Sequence, residues 1–227
     1  YHQPVVLAKE VATIDWFSEG RLELGLGAGW VETEYEAMGI AMDRPGVRID
    51  RMVETLELVR QHYSGDQIEV LGQHVSASGF SGAPTMDRVP PIMIGGGSKR
   101  VLGIAGREAD IVSINFNNSA GKIGPEGVGS GTVDGTSQKI EWIRAGAGER
   151  FSELEIEIGA YFTVVTDHRD AVQEEFAKLF GLDVSDIANH PHCLIGPVEE
   201  LVEKIQQRRE ELGINYVTFG GAVIDDV

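Results

Sequence analysis

The sequence predicts an α/β fold built on a parallel sheet, and three observations carry the prediction. Short runs such as PPIMI (90–94) and ADIVSINF (109–116) are almost continuously apolar, as strands covered on both faces are. They alternate with stretches whose apolar residues recur at helical spacing. The chain has 227 residues, 42% of them hydrophobic, which is enough for one large domain with its own core. Alternation of this kind joins parallel strands through right-handed crossovers.

Taken in order, residues 4–16 read as a helix with Leu7, Val11 and Ile14 on one face. SEGR (18–21) turns it into a strand over 21–26, where Leu22, Leu24 and Leu26 alternate. A helix over 47–63 carries Ile49, Met52, Val53, Leu56 and Tyr63. Residues 67–84 form an inserted hairpin turning at Gly72. The strand at 91–94 runs through Gly95, Gly96 and Gly97 into a helix over 99–108, and a strand follows at 110–115. The loop 117–135, rich in glycine, is too long for a plain connector and reads as a mobile lid. A helix near 136–146 leads to one long strand, 155–165. The helix over 170–180 carries Val172, Phe176 and Leu179. Pro197 opens a last helix with Val198, Leu201, Val202, Ile205 and Leu212 inward, and Gly213 stops it. A strand at 215–219 closes the count at five core strands. A (β/α)₈ barrel needs eight. A doubly wound open sheet manages with five, but a leading helix and long insertions are unusual for it.

Composition removes several functions. Lys and Arg total 19 against 36 Asp and Glu, a net charge of −17, which disfavours nucleic acid and anionic membranes. A small phosphorylated ligand stays open, since backbone N–H groups hold phosphate whatever the global charge. No apolar run reaches membrane-spanning length, and the single cysteine, Cys193, permits no intrachain disulfide; a cytoplasmic setting is expected. Cys193 reads as a buried, inert thiol. The histidines at 62, 74, 168, 190 and 192 show no metal-ligand spacing, and His190 and His192 read as a solvated loop around Pro191. No metal site is expected.

Two glycine-rich turns carry the candidate chemistry. In GRLELGLGAGW (20–30), bare backbone at Gly27, Ala28 and Gly29 follows a strand, where a ligand or a neighbouring backbone comes close. Trp30 either walls that space or fills core. Tyr35, with Glu34, either reaches a ligand's polar end or sits on an exposed helix face. In PPIMIGGGSKR (90–100), Gly95, Gly96, Gly97 and Ser98 precede a helix start, a natural phosphate cradle, with Lys99 and Arg100 adding charge. The alternative is a tight turn with Ser98 as N-cap. Asn115 ends its strand at the same rim, for a ligand or for turn chemistry.

LAKEVATIDWFSEGRLELGLGAGWVETEYEAMGI, PPIMIGGGSKRVLGIAGREADIVSIN and LIGPVEELVEKIQQRREELGINYVTFGG together resemble luciferase-like monooxygenases, and look most similar to the branch that uses coenzyme F-420. The resemblance implies a luciferase-like TIM barrel, here one domain over 1–227 holding about five of eight strands (strands 4 to 8), and a homodimer. It also implies that the turn at 95–98 holds the phosphate of a flavin-type cofactor. The expected function is hydride transfer between F-420 and a small organic substrate. Two alternatives stand beside it: an FMN-dependent monooxygenase using oxygen, and a non-catalytic flavin-binding or truncated remnant. The family's opening motif appears here as Tyr1-His2-Gln3-Pro4, a departure that weakens any role assigned to His2. No residue is read as catalytic by itself, so the chemistry is expected from the cofactor.

Overall fold

The computed structural model describes residues 2–118, 121 and 124–220. Tyr1, four residues of the 117–135 loop and Gly221 therefore lie outside the described residues. The chain divides into two compact units, Tyr1–Met93 and Ile94–Val227.

The first unit opens with α1 (Pro4–Phe17), which Gln3 caps by accepting the Val6 N–H at 2.8 Å. Its buried residues are Ala8, Val11, Ala12 and Asp15, so the stripe runs beside the one expected and leaves Ile14 55% exposed. β1 (Leu24–Leu26) follows, and the Leu24 N–H donates to Pro91 O at 2.9 Å. α2 (Glu32–Ala37), the helix given as one of two readings of Glu34 and Tyr35, precedes α3 (Pro45–Ser64). α3 buries Ile49, Met52, Leu56 and Tyr63, and Gly65 ends it in the left-handed region. The hairpin of β2 (Gln67–Leu71) and β3 (Ser76–Ser81) is antiparallel. Glu54 of α3 accepts the backbone N–H groups of Gln73, His74 and Val75 at 2.7–2.9 Å, which fastens the hairpin turn.

β4 (Ile92–Gly96) spans the junction. In the second unit α4 (Lys99–Glu108) leads to β5 (Ile111–Ile114). The expected lid contains α5 (Pro125–Gly129), and α6 (Val133–Ala147) starts inside it, capped by Thr132. A 3-10 turn at Gly148–Glu153 leads into β6 (Glu155–Ala160). β7 (Phe162–Val165), α7 (Arg169–Phe180), α8 (Val184–Asn189), β8 (Cys193–Gly196), α9 (Val198–Leu212) and β9 (Tyr216–Phe219) complete the chain. β4, β5, β6 and β9 lie side by side in that order, and the β5–β6 and β6–β9 ladders are parallel. With β1 these are the five core strands the sequence predicts.

The single strand expected over 155–165 is two. It breaks at Tyr161, and β7 leaves the main ladder to pair in parallel with β8, a four-residue strand absent from the sequence reading. Phe162 N–H donates to His192 O at 3.1 Å, so the partner that draws β7 away is the segment entering β8. Both strands bury residues in neighbouring clusters, one around Ala177, Ile187, Cys193 and Ile195, the other around Ala160, Leu194 and Leu201. Cys193 is buried as expected, and burial pushes its thiol up to about 12. Helix stripes are narrower than expected: Leu179, Val198 and Val202 are exposed, and α9 faces inward through Leu201 and Arg208.

Candidate active site

Within the second unit the register defines one polar sheet face. Ser113, Glu157 and Tyr216 pair side by side, and Gly159 pairs with Thr218 one step further along. Neighbours in register point the same way, so these residues share a face with Asn115 and Tyr161, while Val112, Ile114, Ile156 and Ile158 bury the other. Glu157 is almost fully buried and accepts the Thr218 hydroxyl at 2.6 Å. The face is polar where strands end at their C-terminal side, the end at which parallel α/β sheets hold ligands.

Asn115 is the hub of this rim. Its N–H donates to Gly96 O at 2.9 Å, and its carbonyl accepts from Lys139 Nζ at 2.7 Å. Its Nδ2 donates to Ser113 O at 3.2 Å and Ser113 Oγ at 3.1 Å, and its Oδ1 accepts the Tyr161 hydroxyl. A Cβ at Gly95 would stand 3.0 Å from that same Nδ2. The side-chain space of Gly95 thus belongs to the Asn115 amide. At Gly96 a Cβ would press on Val101, 2.9 Å from its Cβ, and at Gly97 it would overlap the Phe116 carbonyl oxygen. Ser98 does cap α4, its Oγ accepting the Val101 N–H at 3.5 Å. Packing therefore accounts for these glycines and leaves their backbone as what the turn presents. The first turn of α4 contains no acid, and Lys99 and Arg100 are exposed on it.

Beneath the rim lie groups the sequence did not bring together. Lys139 is 2% exposed, and burial lowers its ammonium to about 8. It occupies a core position of α6 beside Thr136, Ile140 and Ile143, and a lysine inside an apolar stripe was the signal available. His190 and His192, expected in solvent, are fully buried. Their ring nitrogens explain how: His190 Nε2 donates to Val128 O at 3.0 Å, and His192 Nδ1 donates to Gly159 O at 2.8 Å. His190 Nδ1 accepts the His192 N–H at 3.2 Å, while His192 Nε2 has no partner among the described residues. Burial drives both rings down, to about 4 and about 3, so both are neutral. The His192 ring stacks on Tyr161 at 5.1 Å and 3°. Tyr161 was announced only by the end of the alternation in EIEIGAY. Among the described residues no group of His, Cys, Asp and Glu can hold a metal ion.

The first unit carries the other glycine turn. A Cβ at Gly25 or Gly27 would meet nothing within 4 Å. Gly29 has φ of +73°, and a Cβ there would lie 3.3 Å from Tyr35 Cζ. Arg48 Nε donates to Gly29 O at 3.2 Å. Ala28 is half-buried, Tyr35 is buried under the turn rather than lying on an exposed helix face, and Trp30 is 36% exposed rather than core. Gly95, Gly96, Gly97, Ser98 and Asn115 form one constellation; Gly27, Ala28, Gly29, Trp30 and Tyr35 form another. Arg100 stands on the surface of α4.

A family model described as luciferase-like monooxygenase matches residues 1–191. The chain belongs to the luciferase-like monooxygenase family. An FMNH₂-dependent dimethylsulfone monooxygenase of Pseudomonas fluorescens (strain Pf0-1) is 25% identical over 177 residues, 78% of this chain and 44% of that protein. The counterpart from Pseudomonas putida is 24% identical and covered to 45%, so this luciferase-like chain spans under half the length of those curated relatives. Among solved structures, an F420-dependent secondary alcohol dehydrogenase superposes with a TM-score of 0.71 at 19% identity, over 96% of this chain and 69% of that one. The coenzyme F420-dependent tetrahydromethanopterin reductase of Methanopyrus kandleri gives 0.71 at 19% identity, over 98% and 74%. These likenesses fix the fold as the luciferase-like barrel type, with five of its strands among the described residues. No described helix is long and apolar enough to cross a membrane.

Proposed function

We propose that this protein is a flavin- or deazaflavin-dependent oxidoreductase that exchanges hydride between coenzyme F-420 and a small organic substrate. The observation that carries the reading is the rim after β4. In a chain of net charge −17, the turn Gly95–Ser98 opens onto a ten-residue helix whose first turn lacks acid and carries Lys99 and Arg100. Such a start suits a phosphate-bearing group. The donor set fits it: backbone at Gly95, Gly96 and Gly97, the Ser98 hydroxyl and Arg100 would hold the cofactor in this unit. Asn115 would be a rim contact there; in the other unit Gly27, Ala28 and Gly29 offer bare backbone, with Trp30 and Tyr35 as their rim contacts. Bound there, the cofactor's ring would supply the redox chemistry as a hydride carrier. The protein's own part is to orient the ring and shield it from water. It works on a small molecule, as a homodimer in the cytoplasm.

A second reading has one observation in its favour. Two curated relatives that match over 78% of this chain are named as FMNH₂-dependent, which supports an FMN-dependent monooxygenase on the same rim. Titrating the purified chain with F-420 and separately with FMN, followed by absorbance and fluorescence, decides between them. A shifted band with F-420 alone is expected. A shift with FMN alone assigns the second reading. Binding of neither by a chain that circular dichroism shows folded overturns both and leaves a non-catalytic remnant.

A further inference from the structure

The Asn115–Tyr161 pair has spent all its hydrogens. Ser113 O can only accept, so the amide atom 3.2 Å from it must be Nδ2, and the amide orientation is fixed by chemistry and not by choice. Its two hydrogens face Ser113 O and Oγ, with Gly95 closing that side. The atom facing Tyr161 is therefore Oδ1, an acceptor, and the phenol must donate to it. Beyond these bonds, Tyr161 Oη and Asn115 Oδ1 each keep a lone pair. Tyr161 is 49% exposed, and its bond to Asn115 lies at the surface of the rim. Burial, with Glu157 nearby, raises the phenol to about 12, so it keeps its proton and its role at neutral pH.

A second acceptor adjoins the pair. The Gly159 carbonyl obliges His192 Nδ1 to carry the ring hydrogen, which leaves a lone pair on Nε2, buried and without a donor among the described residues. Its ring lies flat against Tyr161, and Phe116 meets His192 edge-on at 4.5 Å, so the phenol is held from turning. Lys139 pins the Asn115 backbone from below. A rigid pair with acceptors and no free donor discriminates by polarity: an O–H or N–H is welcome, and a carbonyl or carboxylate oxygen meets only repulsion.

We propose that Asn115 Oδ1 and Tyr161 Oη, at the adjoining ends of β5 and β6, form a binding subsite for a neutral hydrogen-bond donor, a hydroxyl or an imide N–H, on a bound small molecule. The subsite takes from the proposed function only that this rim faces the molecules the protein handles. The donor belongs either to a substrate alcohol or to the cofactor's ring, and matched probes separate these sources. The unmodified 227-residue chain, labelled at tyrosine ¹³Cζ, is titrated with cyclohexanol and methoxycyclohexane, then with riboflavin and 3-methylriboflavin. Tyr161→Phe assigns the Tyr161 signal.

In at least one pair the donor-bearing member shifts the Tyr161 signal and binds about fivefold more tightly than its methylated partner. The pair that does so names the source. In Tyr161→Phe, which keeps the ring and its stack, Asn115 Oδ1 loses the phenol as its donor and accepts alone, so the preference changes by about twofold or more; an unchanged preference overturns the part assigned to Tyr161. Equal affinities within both pairs, or titrations that leave the Tyr161 signal in place, overturn the subsite. If neither F-420 nor FMN binds while the alcohol preference persists, the cofactor reading fails and the subsite stands. If a flavin-type cofactor binds and neither pair shows a preference, the subsite fails and the cofactor reading stands.

Discussion

A methyl group added at Gly25, within β1, or at Gly27, just after it, would meet no atom of the described residues within 4 Å; added at Gly97, after β4, it would run into the carbonyl of Phe116. Both turns follow a strand, and both read as the same motif in the sequence. The first has open space beside Gly27, and Tyr35 stands only against Gly29. The second has bare backbone because its own protein occupies that space: the Asn115 amide at Gly95, Val101 at Gly96, the chain at Phe116 at Gly97. A glycine run therefore identifies close approach without saying what approaches. For the second turn, the space a side chain would take is already filled by the Asn115 amide, Val101 and the backbone at Phe116.

The most damaging change should be at the second turn. Gly97→Ala sets a Cβ against backbone that cannot swing aside, 2.7 Å from Asn115 O as well as onto Phe116 O. A loss of about 3 kcal/mol is expected, read as the midpoint of urea unfolding. A variant as stable as the parent would remove the packing account of this turn and restore the glycine to a ligand.

Acid tests the floor under the same turn. His190 and His192 have ordinary values near 6.5 when unfolded and about 4 and about 3 when buried. Below 6.5 the unfolded chain takes up protons that the folded chain refuses. The stability from keeping these rings neutral is thus complete above pH 6.5 and drains away as pH falls from 6.5 towards 4. Two protons set a limiting slope of about 2.7 kcal/mol per pH unit. His62, buried in the first unit and lowered by desolvation, adds to the same trend, so the series is run in a His62→Asn background as well. Unfolding midpoints that stay level between pH 7 and 5 in that background would contradict buried, neutral histidines in the second unit.

Gly29 separates conformation from contact within the first turn. Its φ of +73° suits glycine, and Tyr35 stands against the position a Cβ would take. Gly29→Ala is expected to cost about 1–2 kcal/mol in thermal or urea unfolding. Adding Tyr35→Phe removes the oxygen in the way and should return part of that loss; no recovery would assign the whole cost to the backbone.

How much of this was legible varies by element for physical reasons. α4 has the bounds its sequence announces, because the Ser98 cap and the end of the apolar stripe are local signals. The strand break at Tyr161 is not local. FTVV has strand propensity in either sheet, and the choice is made by pairing with Cys193–Gly196, some thirty residues on. His190 and His192 misled because polarity suggests solvent, whereas backbone carbonyls of Val128 and Gly159 satisfy them inside. Glycines and Asn115 were visible as motif; Lys139 and Tyr161 reach Asn115 from α6 and from the end of β6, and no spacing in the sequence links them.

The smallest effect on stability is the most informative about function. Gly27→Ala adds a methyl into open space at a glycine without a positive φ, so unfolding midpoints should move by less than about 0.5 kcal/mol. If the bare face of this turn is a ligand surface, the same methyl occupies ligand volume, and the dissociation constant for F-420 or FMN should rise about tenfold, a loss of about 1.4 kcal/mol in binding. Stability and affinity would then part company at Gly27, while at Gly97 they fall together because the fold itself gives way. An unchanged dissociation constant in a stable Gly27→Ala protein would show that space beside a glycine is only space. The two turns would then differ in packing alone, and cofactor binding would rest on the second unit.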